Sequence, residues 1–444
     1  MPTNEHIHVY QAGPSSSQPS PEIKSDKTAN SHEIGFDSAE SCLAIAEDGT
    51  IFFAPAFTDR GAAVLRSRDK GKSWQPCIIE RPNGKHHGRP QPYLYLESAT
   101  QRLFFYTAAF GVLPPTRGFH LSWSDDQGDT WQHRTIARAA VDWGKLYGGP
   151  STKKNEAVRA LYFSAPAPIS TRFFPVLFPK HQRIYRSYDN GETWSDCSRI
   201  SLKPRQHGLD PREWVIFGSG VVAADGTISL GFRRGPRLAI AISRDDAETW
   251  QIHDVPGADL PVYHNILQVG LINPNYVIGE PLALDDRDNL YALWPDASDR
   301  LRLARSTDHG VTWSQPVVVS APRVKRVRYS AMATGPHGAL AIAYYGTEDG
   351  HTYNGYLAET LDPAATAPVF TGGPVNDAAN PLYPRGWDTG YIDMFAGGDL
   401  NEIVQVRYAP SGVIYASFCR EERPGWPRTL RPRARLVGVL GELR

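Results

Sequence analysis

The chain has 444 residues, with 47 Lys and Arg against 47 Asp and Glu, 11% aromatics, 39 Gly and 36 Pro. The balanced charge gives no electrostatic footprint for nucleic acid or an acidic membrane, and no run approaches the ~18 apolar residues of a membrane helix. Abundant Gly, Pro and aromatics suit a turn-rich all-β protein. The four cysteines, Cys42, Cys77, Cys197 and Cys419, lie far apart without a C-x-x-C pair, which argues against a redox motif or a metal knuckle.

In chain order, residues 1–31 read as a flexible polar segment, rich in Ser and Pro and lacking an apolar signal-peptide core. A cytoplasmic protein is expected, unless a leader has been removed. Residues 32–444 read as one β domain. Alternating apolar strands joined by tight turns predict hairpins at Cys42–Pro55, Tyr93–Ala109, Glu156–Ala165, Gly220–Phe232, Leu282–Trp294, Tyr329–Tyr345 and Ile403–Phe418. Thr429–Leu440 is expected to supply an outer strand. His6–Tyr10 or His32–Phe36 is expected to add the strand that closes a ring.

Between these hairpins one motif recurs, Ser-X-Asp-X-Gly-X-Ser/Thr-Trp. Its copies run Ser67–Trp74, Ser124–Trp131, Ser187–Trp194, Ser243–Trp250 and Ser306–Trp313. The aspartates are Asp69, Asp126, Asp189, Asp245 and Asp308, so successive spacings are 57, 63, 56 and 63 residues. A period near ~60 exceeds a helical solenoid unit and suits a four-stranded propeller blade. Within each copy the Asp is placed to bind turn N–H groups, the Gly to supply positive φ, and the Trp to wedge between sheets. Ala247 replaces the Gly in the fourth copy, where a distorted turn is expected. Repetition in every blade makes these aspartates structural. Glu359-Thr360-Leu361-Asp362 reads as a worn sixth copy. Seven hairpins predict an all-β, seven-bladed β-propeller of four-stranded antiparallel blades, with six blades as the alternative.

The motif resembles the Asp-box, the bacterial neuraminidase repeat of the sialidase superfamily, over residues 40–420. The resemblance implies an active site where the inner strands converge. It assigns acid/base chemistry to Asp59, ahead of the first repeat, and a tyrosine nucleophile to Tyr329 in Arg328-Tyr329-Ser330. It makes Glu280, in Gly279-Glu280-Pro281, the carboxylate that activates the tyrosine. A phenol of pKa ~10 needs such a partner at neutral pH.

The family's arginine triad is not matched. Glu40-Ser41-Cys42-Leu43 stands where the first arginine belongs, and Trp294-Pro295 where the second belongs; Arg326 or Arg328 offers a loose match to the third. A bidentate arginine clamp is not replaced by Ser or Trp, so sialic acid recognition is expected to be lost. Fold resemblance does not carry function by itself.

The loops toward the expected site hold His86, His87 and Arg89, then His264, Trp294 and Arg328, then Trp387 and Tyr391, all candidates for substrate binding. The histidines lack metal-ligand spacing, so neither a metal nor another cofactor is expected. The leading expectation is a sialidase-like, carbohydrate-active enzyme of the glycoside hydrolase type, acting on a glycan or small molecule without nucleic acid or membrane partners. The alternatives are an intracellular biosynthetic enzyme for a small non-sugar metabolite, a lyase of uronate polymers, and a non-catalytic binding propeller.

Overall fold

The computed structural model describes residues 7–13, 27–38, 41–55, 63–78, 91–108, 119–136, 144–152, 158–167, 181–201, 217–234, 236–261, 280–384, 404–423 and 435–444. The strands are β1 (His8–Gln11), β2 (Ala29–Asp37), β3 (Cys42–Ile45), β4 (Ile51–Ala54), β5 (Ala63–Ser67), β6 (Gln75–Ile78), β7 (Gln91–Leu96), β8 (Leu103–Ala108), β9 (Phe119–Ser124) and β10 (Gln132–Thr135). They continue with β11 (Lys145–Pro150), β12 (Arg159–Ala167), β13 (His181–Ser187), β14 (Ser195–Ser201), β15 (Phe217–Val222), β16 (Ile228–Arg234), β17 (Arg237–Ser243), β18 (Gln251–Asp259), β19 (Leu282–Leu284) and β20 (Leu290–Pro295). The last are β21 (Leu301–Ser306), β22 (Val317–Val318), β23 (Arg326–Thr334), β24 (Leu340–Thr347), β25 (Asn354–Thr360), β26 (Val369–Pro374), β27 (Gln405–Tyr408), β28 (Ile414–Arg423) and β29 (Arg435–Leu443).

These strands form seven antiparallel sheets arranged as a seven-bladed β-propeller, as the hairpin count predicts. Blades one to five are each built from four consecutive strands, β3–β6 through β19–β22. Blade six is β23–β26 with β1 added as a fifth, outermost strand. Blade seven joins β27, β28 and β29 to β2, which pairs with β29 from Ala29↔Leu443 to Asp37↔Val437. The two ends of the chain thus share one blade, and their hydrogen bonds close the ring and bury the edge an open sheet would expose. His8–Gln11 and the first residues of β2 both fall inside the polar stretch 1–31. The outer strand of blade seven is β2, while the Thr429–Leu440 region contributes its third strand, β29. In blade three the inner strand is β11; Glu156–Ala165, read above as a whole hairpin, covers only the approach to β12 and most of that strand.

The core consists of apolar layers between neighbouring blades. Leu43, Phe53, Leu65, Tyr415 and Leu440 fill the layer between blades seven and one. Tyr147, Tyr162, Ile184, Ile228 and Phe232 fill that between blades three and four. Alternation along each strand sends successive side chains to opposite layers, so one blade seals two interfaces.

All five repeats build the same turn after the third strand of a blade. Ser67 Oγ donates to Asp69 Oδ1 at 2.8 Å and accepts the Gly71 N–H at 2.8 Å, while the Ser73 N–H reaches Asp69 at 2.9 Å. Trp74, Trp131 and Trp194 make T-shaped contacts with Phe53, Phe105 and Phe163. Glycine is needed twice over at Gly71: its φ is 83°, and a Cβ there would meet Leu440 Cδ2 at 2.5 Å.

The fourth turn is not distorted. Ala247 adopts φ 68° and keeps the pattern, its N–H reaching Ser243 Oγ at 2.9 Å and Thr249 N reaching Asp245 at 2.9 Å. Neighbouring Asp246 accounts for the tolerance. Its carboxylate accepts from Ser151 Oγ (2.5 Å), Thr152 N (2.7 Å), Tyr188 Oη (2.8 Å) and Tyr162 Oη (3.2 Å), pinning the turn to blade three. The worn sixth copy builds no such cage: Thr360 Oγ1 is buried without a hydrogen-bond partner.

Candidate active site

Strands one and three of a blade run the same way, so the repeat turns lie at the end opposite to where the inner strands begin. That other end collects the starts of β3, β7, β11, β15, β19, β23 and β27, which neighbour one another around the channel. It is also the end of the loops joining second to third strands.

Glu280 forms a parallel bridge to Ala331 of β23, which seats it at this end beside blade six. Its carboxylate crosses to blade seven. Arg407 Nη1 donates to Oε2 at 2.6 Å, Arg407 Nη2 to Oε1 at 2.8 Å, and Gln405 Nε2 to Oε1 at 3.1 Å. The Gln405 amide oxygen accepts the Leu43 N–H of blade one at 2.6 Å, so three blades are tied through one carboxylate. Glu280 is 6% exposed and Gln405 fully buried. Burial opposes the charge on Arg407, but the Glu280 carboxylate outweighs it and holds the guanidinium firmly protonated.

Tyr93 of blade two lies beside this pair. Burial first, then the negative charge of Glu280, holds its phenol well above the usual tyrosine range, so the hydroxyl stays protonated. The Cys42 thiol adds to the same effect on Tyr93, which places blade one in the cluster. Lys145, the first residue of β11, sets its Nζ 4.7 Å from the centre of the Tyr93 ring and is 2% exposed.

Tyr329 sits on β23 at a register break between Arg328 and Ser330, with φ 38°. A tyrosine in the left-handed region is strained, and a bulge re-aims the side chain at that point. It packs partly buried against the layer that contains Tyr345, Tyr353 and Tyr383. Arg328, 7% exposed, pairs with Asp299 at 3.0 Å and lies 6.0 Å from the Tyr353 ring. Tyr353 closes a compact turn, Thr347–Tyr353, in which Asp349 Oδ1 accepts from Thr347 Oγ1 at 2.8 Å and Thr352 N at 2.8 Å. This turn mimics the repeat cage at the opposite end of the blade.

Of the residues singled out from sequence, Glu280 and Tyr329 are brought to the same end of the channel on neighbouring blades. Arg328 lies near but is committed to Asp299. Trp294 is fully buried in the layer between blades four and five, among Leu238, Ile240 and Ala304, so its size is explained by packing. Asp59, His86, His87, Arg89, His264, Trp387 and Tyr391 lie outside the described residues. Sequence reading missed Tyr93, Lys145, Gln405 and Arg407. The available signal was position, since each stands within the first three residues of an inner strand. Lys145 stayed hidden because the inner strand of blade three had been placed too late.

Among the described residues no group of three or more His, Cys, Asp or Glu gathers to hold a metal ion, and no helix is long and apolar enough to cross a membrane. The four cysteines form no disulfide.

Compared with protein-family models and with curated protein sequences, the chain matches none. Several solved structures are similar to it in part. A variant of the NanB sialidase from Streptococcus pneumoniae is 10% identical with a TM-score of 0.46, covering 99% of this chain and 95% of that one. The intramolecular trans-sialidase from Ruminococcus gnavus is 14% identical with a TM-score of 0.43, covering 92% and 96%. AofleA from Arthrobotrys oligospora is 13% identical with a TM-score of 0.44, covering 77% and 89%.

Proposed function

We propose that this protein is a sialidase-like, carbohydrate-active enzyme of the glycoside hydrolase type that does not process sialic acid. Its reaction centre is the channel end where the inner strands begin. One observation carries the reading: Tyr329 stands in a strained bulge two residues before the bridge that seats Glu280. The backbone thereby brings a tyrosine and a glutamate to the same end of neighbouring blades, and a phenol with a carboxylate is the pair a tyrosine-nucleophile glycosidase requires. Backbone strain at a site is kept only where it serves chemistry or is over-determined by packing. The Asp-box resemblance supports the same reading, and Asp59 is the proposed acid/base. The loss of sialic acid recognition is supported by Ser41, Cys42 and Trp294, which stand in the sequence where the family's arginines belong and are fully buried.

The test is turnover of a panel of aryl glycosides by the purified protein. Tyr329→Phe is expected to abolish turnover while circular dichroism stays unchanged, and Glu280→Gln to abolish turnover with a loss of stability from the unpaired Arg407 charge. Release of free sialic acid, or undiminished turnover in both variants, overturns the reading.

A second reading, a lyase acting on uronate polymers, is favoured by the buried Tyr93 with the Lys145 ammonium against its ring. A cation beside a phenol suits neutralisation of a carboxylate before elimination. An unsaturated product absorbing in the ultraviolet separates elimination from hydrolysis.

A further inference from the structure

Lys145 is an ionisable side chain that is 2% exposed, and burying a cation is costly without a compensating anion. Its described neighbour is the face of Tyr93, 4.7 Å away. The nearby carboxylate, Glu280, is already taken by both Arg407 nitrogens and by Gln405. Glu280 and Arg407 cancel, so Lys145 leaves the described cluster with one positive charge unmatched. Elsewhere in the fold buried cations do find carboxylates: Arg102 meets Asp125 at 2.7 Å, and Arg66 meets Asp129 at 2.8 Å.

We infer that Lys145 and Tyr93 form an oxyanion-accepting pair, and that the ligand of this channel is a sugar bearing a carboxylate or a sulfate. The Lys145 ammonium supplies the charge and the protonated Tyr93 hydroxyl a second donor, while the Glu280–Arg407 clasp fixes one wall. The geometry differs from an arginine clamp: a lysine is a point charge with rotatable donors, so it accepts either oxyanion. Lys145 is thus a specificity-determining residue. The inference deepens the proposed function by naming a substrate class for the same site.

The experiment is calorimetric titration of the full chain with D-glucuronate, D-glucose 6-sulfate and D-glucose. The expected result is that at least one charged sugar binds and D-glucose binds more weakly, by about tenfold or more. Lys145→Met is expected to remove that preference, and Lys145→Arg to retain most of it. Preference for glucuronate alone marks the ligand as a uronate, and preference for the sulfate alone marks it as a sulfated sugar. Equal binding of D-glucose by the wild-type protein, no binding of either charged sugar, or an unchanged preference in Lys145→Met overturns the inference. The wild-type comparison stands even where Lys145→Met does not fold. Repeating the titration in Tyr329→Phe keeps the two readings apart: a Lys145-dependent preference there survives the failure of hydrolysis, and turnover of neutral glycosides survives the failure of the oxyanion pair.

Discussion

Glu280 and Arg407 clasp each other across the channel from the approach to blade five and the inner strand of blade seven, through two hydrogen bonds of 2.6 and 2.8 Å. Glu280 is also bridged to Ala331 of blade six, so the pair ties the approach to blade five and the inner strands of blades six and seven. It joins three successive blades while orienting the carboxylate that the described cluster contributes at that end.

Removing one partner of a buried ion pair leaves an uncompensated charge. Arg407→Leu is therefore expected to cost about 3–5 kcal/mol. Glu280→Gln in that background is expected to restore part of the loss, because the orphaned charge disappears. Urea denaturation of the two single variants and the double variant measures the coupling. Additive effects would show that the clasp is not a stabilising unit.

Tyr329 carries its strain in the backbone. Tyr329→Gly is expected to gain about 1 kcal/mol from relief of the positive φ, offset by the lost packing of the ring, with turnover abolished. Tyr329→Phe keeps both the strain and most of the packing, so its midpoint in urea should move little. A large destabilisation by Tyr329→Phe would instead assign the hydroxyl a structural role.

Ala247 occupies a position whose φ of 68° favours glycine, and glycine stands there in the other four repeats. Ala247→Gly is expected to stabilise the protein by up to about 1 kcal/mol, less the packing of its methyl group. Gly71→Ala is expected to destabilise, since φ is 83° and the new Cβ would meet Leu440 at 2.5 Å. Thermal unfolding of both variants tests the contrast. Equal and opposite failure of the signs would remove the conformational account of the turn.

Acid should loosen the joint between blades three and four. Burial pushes the Asp246 carboxyl up, but hydrogen bonds from Ser151, Thr152 and Tyr188 outweigh it and hold its pKa at about 2, against 3.8 ordinarily. A depressed carboxylate contributes stability that is complete above its unfolded value and is lost as pH falls through its folded one. For Asp246 that amounts to about 2 kcal/mol, lost between roughly pH 5 and pH 2. Denaturation at steps across that window should show a shallower fall in Asp246→Asn than in the wild type. Parallel slopes would remove Asp246 from the acid response.

The repeat turns were legible because each is local: Ser67, Asp69, Gly71 and Ser73 find their partners within four residues of one another. The hairpin of blade one was legible for the same reason, with Asp48 accepting the Thr50 N–H at its turn. Blade three was misplaced because its second strand supplies the stronger apolar pattern, while Gly148 and Gly149 weaken the signal of β11. Glu280 and Tyr329 were found through a resemblance, not through any local pattern. Their partners stayed hidden because Arg407 is 127 residues from Glu280 along the chain.

The sequence by itself determined the propeller class, the order of the repeats and their turn chemistry, since period and turn chemistry are short-range properties. Only the tertiary structure decided for seven blades over six, that β2 closes blade seven, that Trp294 belongs to the core, and that Lys145, Tyr93, Glu280 and Arg407 meet. Closing a ring brings the starts of seven distant strands to one point, and no pattern along the chain records which side chains will face each other there.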